Sequence, residues 1–272
     1  MARRSETLSA STDVAIRPEF ADRKTTKSVD GRDVTDWFCE DFTLAELQSL
    51  KCREAEPSLR PQNVRYDGTE PVLSLADVLA IARAGCVRTA RMVGVCVRLL
   101  RPARFEGLGL DVVQRLADEL SIEGYEAPAA AVWVQVSEPE ALRAFGKISP
   151  VRRMLVLEDK ALASDPATIV AAQGAAQAVC ADQALLIDFA AQPAPTLTAL
   201  AQGLRAAGFQ VFSRTARAEN AFLPPPLRRG EQPADRGDVQ KLIRALMSAP
   251  VDGLATDVPA DAARVRRALA AR

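Results

Sequence analysis

No histidine occurs among the 272 residues. That removes imidazole as a general acid or base, the Ser-His and Cys-His nucleophile pairs, and histidine-ligated zinc. Sulfur chemistry is thin as well. Cys39, Cys52, Cys86, Cys96 and Cys180 are odd in number and have no CxxC spacing, so neither a disulfide framework nor a thiolate zinc site is indicated. Reduced, mostly buried thiols are expected. Neither GxGxxG nor a Walker sequence is present to cradle a phosphate. Asp33, Asp36, Glu40 and Asp41 form an acidic group whose carboxylates suit weak cation binding, although a solvated loop is the plainer reading.

The elements that must position any remaining chemistry belong to a chain of balanced charge. Lys plus Arg and Asp plus Glu both count 35, so the net charge is zero, which argues against a nucleic-acid or membrane-surface binder. Apolar residues make up 48 %, enough for a core. No apolar run approaches the ~18 residues of a membrane span. Two arginines near the start lack an apolar stretch behind them, so no signal peptide is read and a cytoplasmic location is expected for the chain as written. No composition shift marks a second domain, and residues 1–272 are read as one domain with a polar surface excursion over about 5–72.

Thr43 with Glu46, and Ser74 with Asp77, carry capping-box spacing and predict two helix starts. Leu44, Leu47 and Leu50 give the first helix an apolar face, and Gly85 is expected near the end of the second. Beyond this, apolar segments at 91–100, 130–136, 154–158, 184–189, 209–215 and 251–257 read as strands. Amphipathic stretches at 111–122, 139–145, 196–207, 239–247 and 261–271 read as helices, and an Ala-rich stretch covers 165–179. Near-continuous apolar strands between amphipathic helices predict parallel α/β architecture, and the lack of a dinucleotide fingerprint favours a barrel.

Five segments resemble the glycerophosphodiester phosphodiesterases, in particular the bacterial type with a long insertion after the third strand. They are residues 11–54, "VGVCVRLLRP" (93–102), "VWVQVSEPEALR" (132–143), "TARAENAFLP" (215–224) and "VDGLATDVP" (251–259). The resemblance implies a (β/α)8 TIM barrel and hydrolysis of glycerophosphodiesters to glycerol 3-phosphate and an alcohol, a reaction of lipid and glycerol metabolism. It also implies a divalent cation, Ca²⁺ or Mg²⁺. Met1-Ala2-Arg3-Arg4-Ser5 aligns inside the third strand, so the first two βα units are expected to be missing and the coding start to lie upstream. A leader for export would then lie upstream too.

The same alignment puts Arg4 at the position of a catalytic histidine and Ser5 at that of an acidic residue. Arg98 falls at a metal-binding Glu and Leu100 at a Lys. Arginine cannot shed its charge to accommodate a cation, and losing an acid–base group costs about 10²–10⁴-fold in rate. No catalytic or metal-ligating residue is therefore assigned and no cofactor is predicted. Features that match the family's cleft are Gln135, Thr215, Arg217, Glu219, Asn220, Thr256, Asp257 and Pro259, with Gln135, Arg217, Glu219 and Asn220 the substrate-binding candidates. They serve either a phosphate or glycerol ligand or the loop–strand junctions. Arg4, Arg98 and Arg101 make either a basic pocket or, more simply, drifted side chains reaching solvent. The terminal helix, amphipathic and basic, is expected to cap the barrel. The expected function is a family member without catalysis. Two alternatives are an active phosphodiesterase completed by an upstream segment, and a non-enzymatic binder of glycerophosphate-like anions. Exposed barrel edges predict self-association.

Overall fold

The computed structural model describes residues 7–29, 31–128, 130–158, 166–189, 191, 195–249 and 251–271; Arg4 and Ser5 lie outside these. The chain divides into two compact units, residues 1–81 and 82–272.

The first unit has its own core, where the sequence reads a polar surface excursion over about 5–72. Val14, Phe20, Trp37, Phe42 and Leu50 are buried together. The Phe20 and Phe42 rings meet edge-on at 5.2 Å, and Arg23 lies over both while its guanidinium donates to Glu46 at 2.7 Å. The aromatic residues lie far enough apart in sequence that no helical or strand period connects them. The strands β1 (Thr25–Val29) and β2 (Arg32–Asp36) form an antiparallel hairpin, closed at Gly31 with φ +71°, a conformation that glycine adopts without Cβ strain. Trp37 Nε1 donates to the Phe20 carbonyl at 2.6 Å. The acidic group has protein partners: Lys27 bonds Glu40 at 3.1 Å and Asp41 at 2.6 Å, and Asp36 accepts from Ser9 at 2.7 Å.

Both capping boxes form. Helix α1 (Leu44–Ser49) begins with Thr43 and Glu46 bonded reciprocally, and α2 (Leu75–Thr89) begins with Ser74 and Asp77 in the same arrangement. Leu50 is fully buried, but Leu44 is 59 % exposed, so the apolar face of α1 is narrower than its leucine spacing predicts. Gly85 does not end α2, which continues to Thr89. A Cβ at Gly85 would meet Val93 at 3.3 Å, so this glycine permits the following chain to pass closely.

Among the described residues, the second unit contains six parallel strands: β3 (Val95–Arg98), β4 (Val132–Val136), β5 (Arg152–Leu157), β6 (Ala178–Asp182), β9 (Gln210–Ala216) and β10 (Gly253–Thr256). They lie in the order β10-β9-β6-β5-β4-β3, an open part of a barrel. Helices α3 (Pro102–Gly107), α4 (Val112–Ile122), α5 (Pro139–Ile148), α6 (Pro166–Ala172), α8 (Ala199–Ala206), α9 (Val239–Ser248) and α10 (Pro259–Ala270) alternate with the strands. Val132, Val134, Val136, Leu155, Val179 and Val211 are buried on the outer side of the sheet, where Leu116, Leu120, Leu142, Phe145, Leu204, Leu242 and Leu246 supply the helical layer.

One strand is misplaced by sequence reasoning. Residues 184–189 form the short helix α7 (Gln183–Leu186) and the two-residue β7 (Ile187–Asp188), which pairs with β8 (Thr196–Leu197). The sheet strand begins at the end of the Ala-rich stretch and runs just beyond it, because Ala178, Val179, Cys180 and Ala181 are small enough to be enclosed on both faces. Asp182 then caps α7 by accepting from the Ala184 N–H at 2.9 Å. Strand β3 is also shorter than its apolar run.

A pH dependence follows from the first capping box. The Thr43 backbone N–H and Arg23 hold the Glu46 carboxylate below its ordinary value of 4.5. A carboxylate depressed on folding contributes stability above its unfolded value, and that contribution disappears as pH falls through the folded value. In a Trp133→Phe protein, Trp37 emission reports the first unit. Its stability is expected to fall on acidification below about pH 4.5, and Glu46→Gln is expected to lower stability at pH 7 while flattening that dependence.

Candidate functional site

Side chains alternate along each strand, so one parity faces inward. On this face lie Cys96 and Arg98 of β3, Trp133 and Gln135 of β4, Met154 and Val156 of β5, Ala178, Cys180 and Asp182 of β6, and Phe212 and Arg214 of β9, in matching register. Met154, Val156, Ala178 and Cys180 form a buried cluster against Trp133 and Phe212. The two rings lie 5.6 Å apart although β4 and β9 are separated by two strands. Three strand spacings in a flat sheet would be about 14 Å, so the sheet curls. Below this apolar floor Arg152 lies over Trp133 at 4.4 Å.

The polar residues lie at the carboxyl ends of the strands. Glu158, directly after β5, is paired with Arg98 from β3 and with Arg214 from β9 at 3.5 Å. Arg98 thus reaches a carboxylate while its side chain stays partly exposed. Neither Glu158 nor Arg214 stands out in the sequence. Their signal is positional: each continues the inward parity of its strand to the carboxyl end, where barrel sites are built. Gln135, in register with Arg98, donates to the Met154 sulfur at 3.0 Å.

Arg217 follows β9. Its guanidinium stacks on Phe222 at 4.4 Å and approaches Asp257 at 3.3 Å. Thr256 donates to the Ala216 carbonyl at 2.8 Å and accepts from the Val258 N–H at 3.1 Å. Thr215 is half-buried. Asn220 is buried, donates to the Arg229 and Gln232 carbonyls and accepts from the Arg229 N–H, so its amide organises the loop after β9. Glu219 pairs with Arg236 as an isolated antiparallel bridge. Leu100 is half-buried after β3, and Arg101 precedes α3 with φ +46°. The structure therefore brings Arg98 and Gln135 together at the mouth. Arg217 and Asp257 form a neighbouring pair on the loops after β9 and β10, and Asn220 and Glu219 are engaged with loop backbone.

A groove of about 750 Å³ runs along the β10 edge between α9 and α10, lined by Met247, Gly253, Leu254, Pro259, Ala262 and Leu269 among others. It carries no arrangement of acid, base or nucleophile. Among the described residues, no three His, Cys, Asp or Glu side chains gather as a metal site. No helix there is long and apolar enough to cross a membrane.

No protein-family profile matches the chain. A glycerophosphodiester phosphodiesterase from Arabidopsis thaliana is 37 % identical over 95 residues, covering 35 % of this chain and 24 % of the plant protein. The chain thus matches about a quarter of that relative's length. Two solved structures share the fold at 15 % identity and a TM-score of 0.59. One, from Silicibacter pomeroyi, is provisionally assigned as a glycerophosphoryl diester phosphodiesterase; the match covers 91 % of this chain and 76 % of that one. The other, from Agrobacterium tumefaciens, carries the same provisional assignment, with 98 % and 79 % covered.

The thiols differ in accessibility. Cys52 and Cys96 are exposed, Cys39 and Cys86 intermediate, and only Cys180 is buried, so burial is less general than expected. Burial pushes the Cys180 thiol up to about 11. Desolvation pushes the inward-facing Cys96 thiol up to about 11 as well, so Cys180 and Cys96 are both expected to react slowly with thiol-specific reagents near pH 8 in the native protein, the buried Cys180 only on unfolding, while the exposed Cys52 reacts ahead of them. Mass mapping of labelled peptides checks this.

Proposed function

We infer that this chain is a member of the glycerophosphodiester phosphodiesterase family whose own residues do not hydrolyse phosphodiesters. Membership is supported by the plant relative, by the two folds, and by the ordered resemblance of residues 11–54, 93–102, 132–143, 215–224 and 251–259. The observation that carries the loss of catalysis is the absence of every imidazole from the chain. Without it, proton transfer to the leaving alkoxide lacks the one side chain whose ordinary pKa lies near neutrality.

A second reading rests on Arg217. Its guanidinium is oriented by Phe222 and Asp257, and a planar fork suits a phosphate. In this reading Arg217 holds a glycerophosphate-like anion without turning it over, with Gln135 and Glu219 as further contacts, while the buried Asn220 amide holds the loop that follows Arg217. A third reading, hydrolysis completed by residues upstream of this chain, must accommodate Arg98 at the mouth. Self-association belongs to the same proposal: β3 and β10 end the sheet among the described residues, and beside β3 Val87 and Met92 are largely exposed.

Incubation with glycerophosphocholine and Ca²⁺ or Mg²⁺ is expected to release no glycerol 3-phosphate above the uncatalysed background. Release would overturn the inactive reading in favour of the third. Saturable binding of glycerol 3-phosphate in calorimetry, lost in Arg217→Ala, is the expected result of the binding reading, and no binding removes it. Sedimentation of the chain is expected to show species heavier than 29.2 kDa.

A further inference from the structure

The family resemblance implies a divalent cation, and the residues present do not fit one. Ca²⁺ takes six to eight oxygen ligands and Mg²⁺ six. Among the described residues, the carboxylates that continue the inward parity of β5 and β6 at the mouth of the barrel are Glu158 and Asp182, on adjacent strands. Asp182 is exposed and caps α7. Glu158 is the enclosed one, with its side chain 10 % exposed, against 31 % for Arg98 and 26 % for Arg214. Two guanidinium groups, from strands on opposite sides of β5, already converge on it.

We propose that Arg98 and Arg214 act as the fixed, metal-independent counter-charge of Glu158, so that the mouth of the barrel excludes Ca²⁺ and Mg²⁺. A divalent ion approaching Glu158 meets two positive charges that cannot be neutralised by deprotonation. To bind, it must displace guanidinium hydrogen bonds from a carboxylate that is partly removed from water, and among the described residues Asp182 is the other carboxylate on the inward parity of the neighbouring strands. The same geometry predicts what happens when the carboxylate is neutralised. Two partly enclosed guanidinium groups are left facing each other across β5, and they form a site for a small oxyanion, whose planar or tetrahedral oxygens suit paired forks. The cluster also has a structural consequence: it joins β3, β5 and β9, which the sheet itself does not pair directly. Removing one member of an enclosed ion cluster costs more than removing the cluster together, because the remaining charge loses its partner.

The intact chain is titrated calorimetrically with CaCl2 and MgCl2, and its Tm is followed in parallel. The expected result is no saturable heat and a Tm unchanged within about 1 °C at millimolar cation. Saturable cation binding that is lost in Glu158→Gln overturns the proposal. In Glu158→Gln, inorganic phosphate is expected to raise Tm by about 2–4 °C more than it raises that of the unaltered chain; no additional rise in the variant counts against the paired guanidinium geometry. Where Glu158→Gln does not fold, Arg98→Gln/Glu158→Gln decides. Recovery of folding in the double variant supports the counter-charge, and failure of both overturns it. The proposal does not depend on the inactive reading above: cation titration decides the one and product release the other.

Discussion

The contact between the Trp133 and Phe212 rings sets the curvature on which the rest of the second unit depends. Two bulky rings on strands that are not neighbours meet only if β5 and β6 bend between them, and the residues on those two strands are small or flexible enough to permit it. Ala178 and Cys180 leave room beneath the rings, and Met154 fills the remaining space. Once the sheet curls, inward side chains at the carboxyl ends of β3, β5 and β9 are directed toward one another. Long arginine side chains then cover the distance that strand separation leaves.

Charge in this molecule is balanced locally as well as in total. In the first unit Lys27 lies between Glu40 and Asp41, and Arg23 joins Glu46 to two aromatic rings. Burial alone lowers the pKa of the Lys27 ammonium, but its bonds to Asp41 and Glu40 outweigh that and hold it above its ordinary value. In the second unit Arg98 and Arg214 share Glu158, and Arg217 faces Asp257. Carboxylates that an eye on composition would offer to cations are thus engaged with fixed positive side chains. The guanidinium group serves both purposes because it is planar: it stacks on Phe222 or Trp133 by its face and donates hydrogen bonds by its edge.

Much of the fold was legible from period and capping. The alternation of buried valines in β4, the helical spacing of Val239, Leu242, Ile243 and Leu246, and both Ser/Thr-x-x-acid boxes are local features, set by bonds and contacts within a few residues. Strand β6 was harder. Its Ala-rich neighbourhood resembles a helix, and its burial on both faces removes the polar alternation that would have declared a strand. The small core of the first unit was illegible for a related reason. Val14, Phe20, Trp37, Phe42 and Leu50 follow no common period, because loops and short turns bring them together.

The candidate site divides along the same line. The sequence by itself determined what chemistry is absent, since no arrangement in space supplies an imidazole that the chain does not encode. It also placed Arg98, Gln135 and Arg217 at strand ends, because strand ends are local events. Only the tertiary structure decided which side chains meet there. Glu158 lies 60 residues from Arg98 and 56 from Arg214, and nothing short-ranged relates them. Their meeting follows from strand order and curl, and these are determined by packing across the inner face, a property of the assembled sheet that no segment of the chain carries alone.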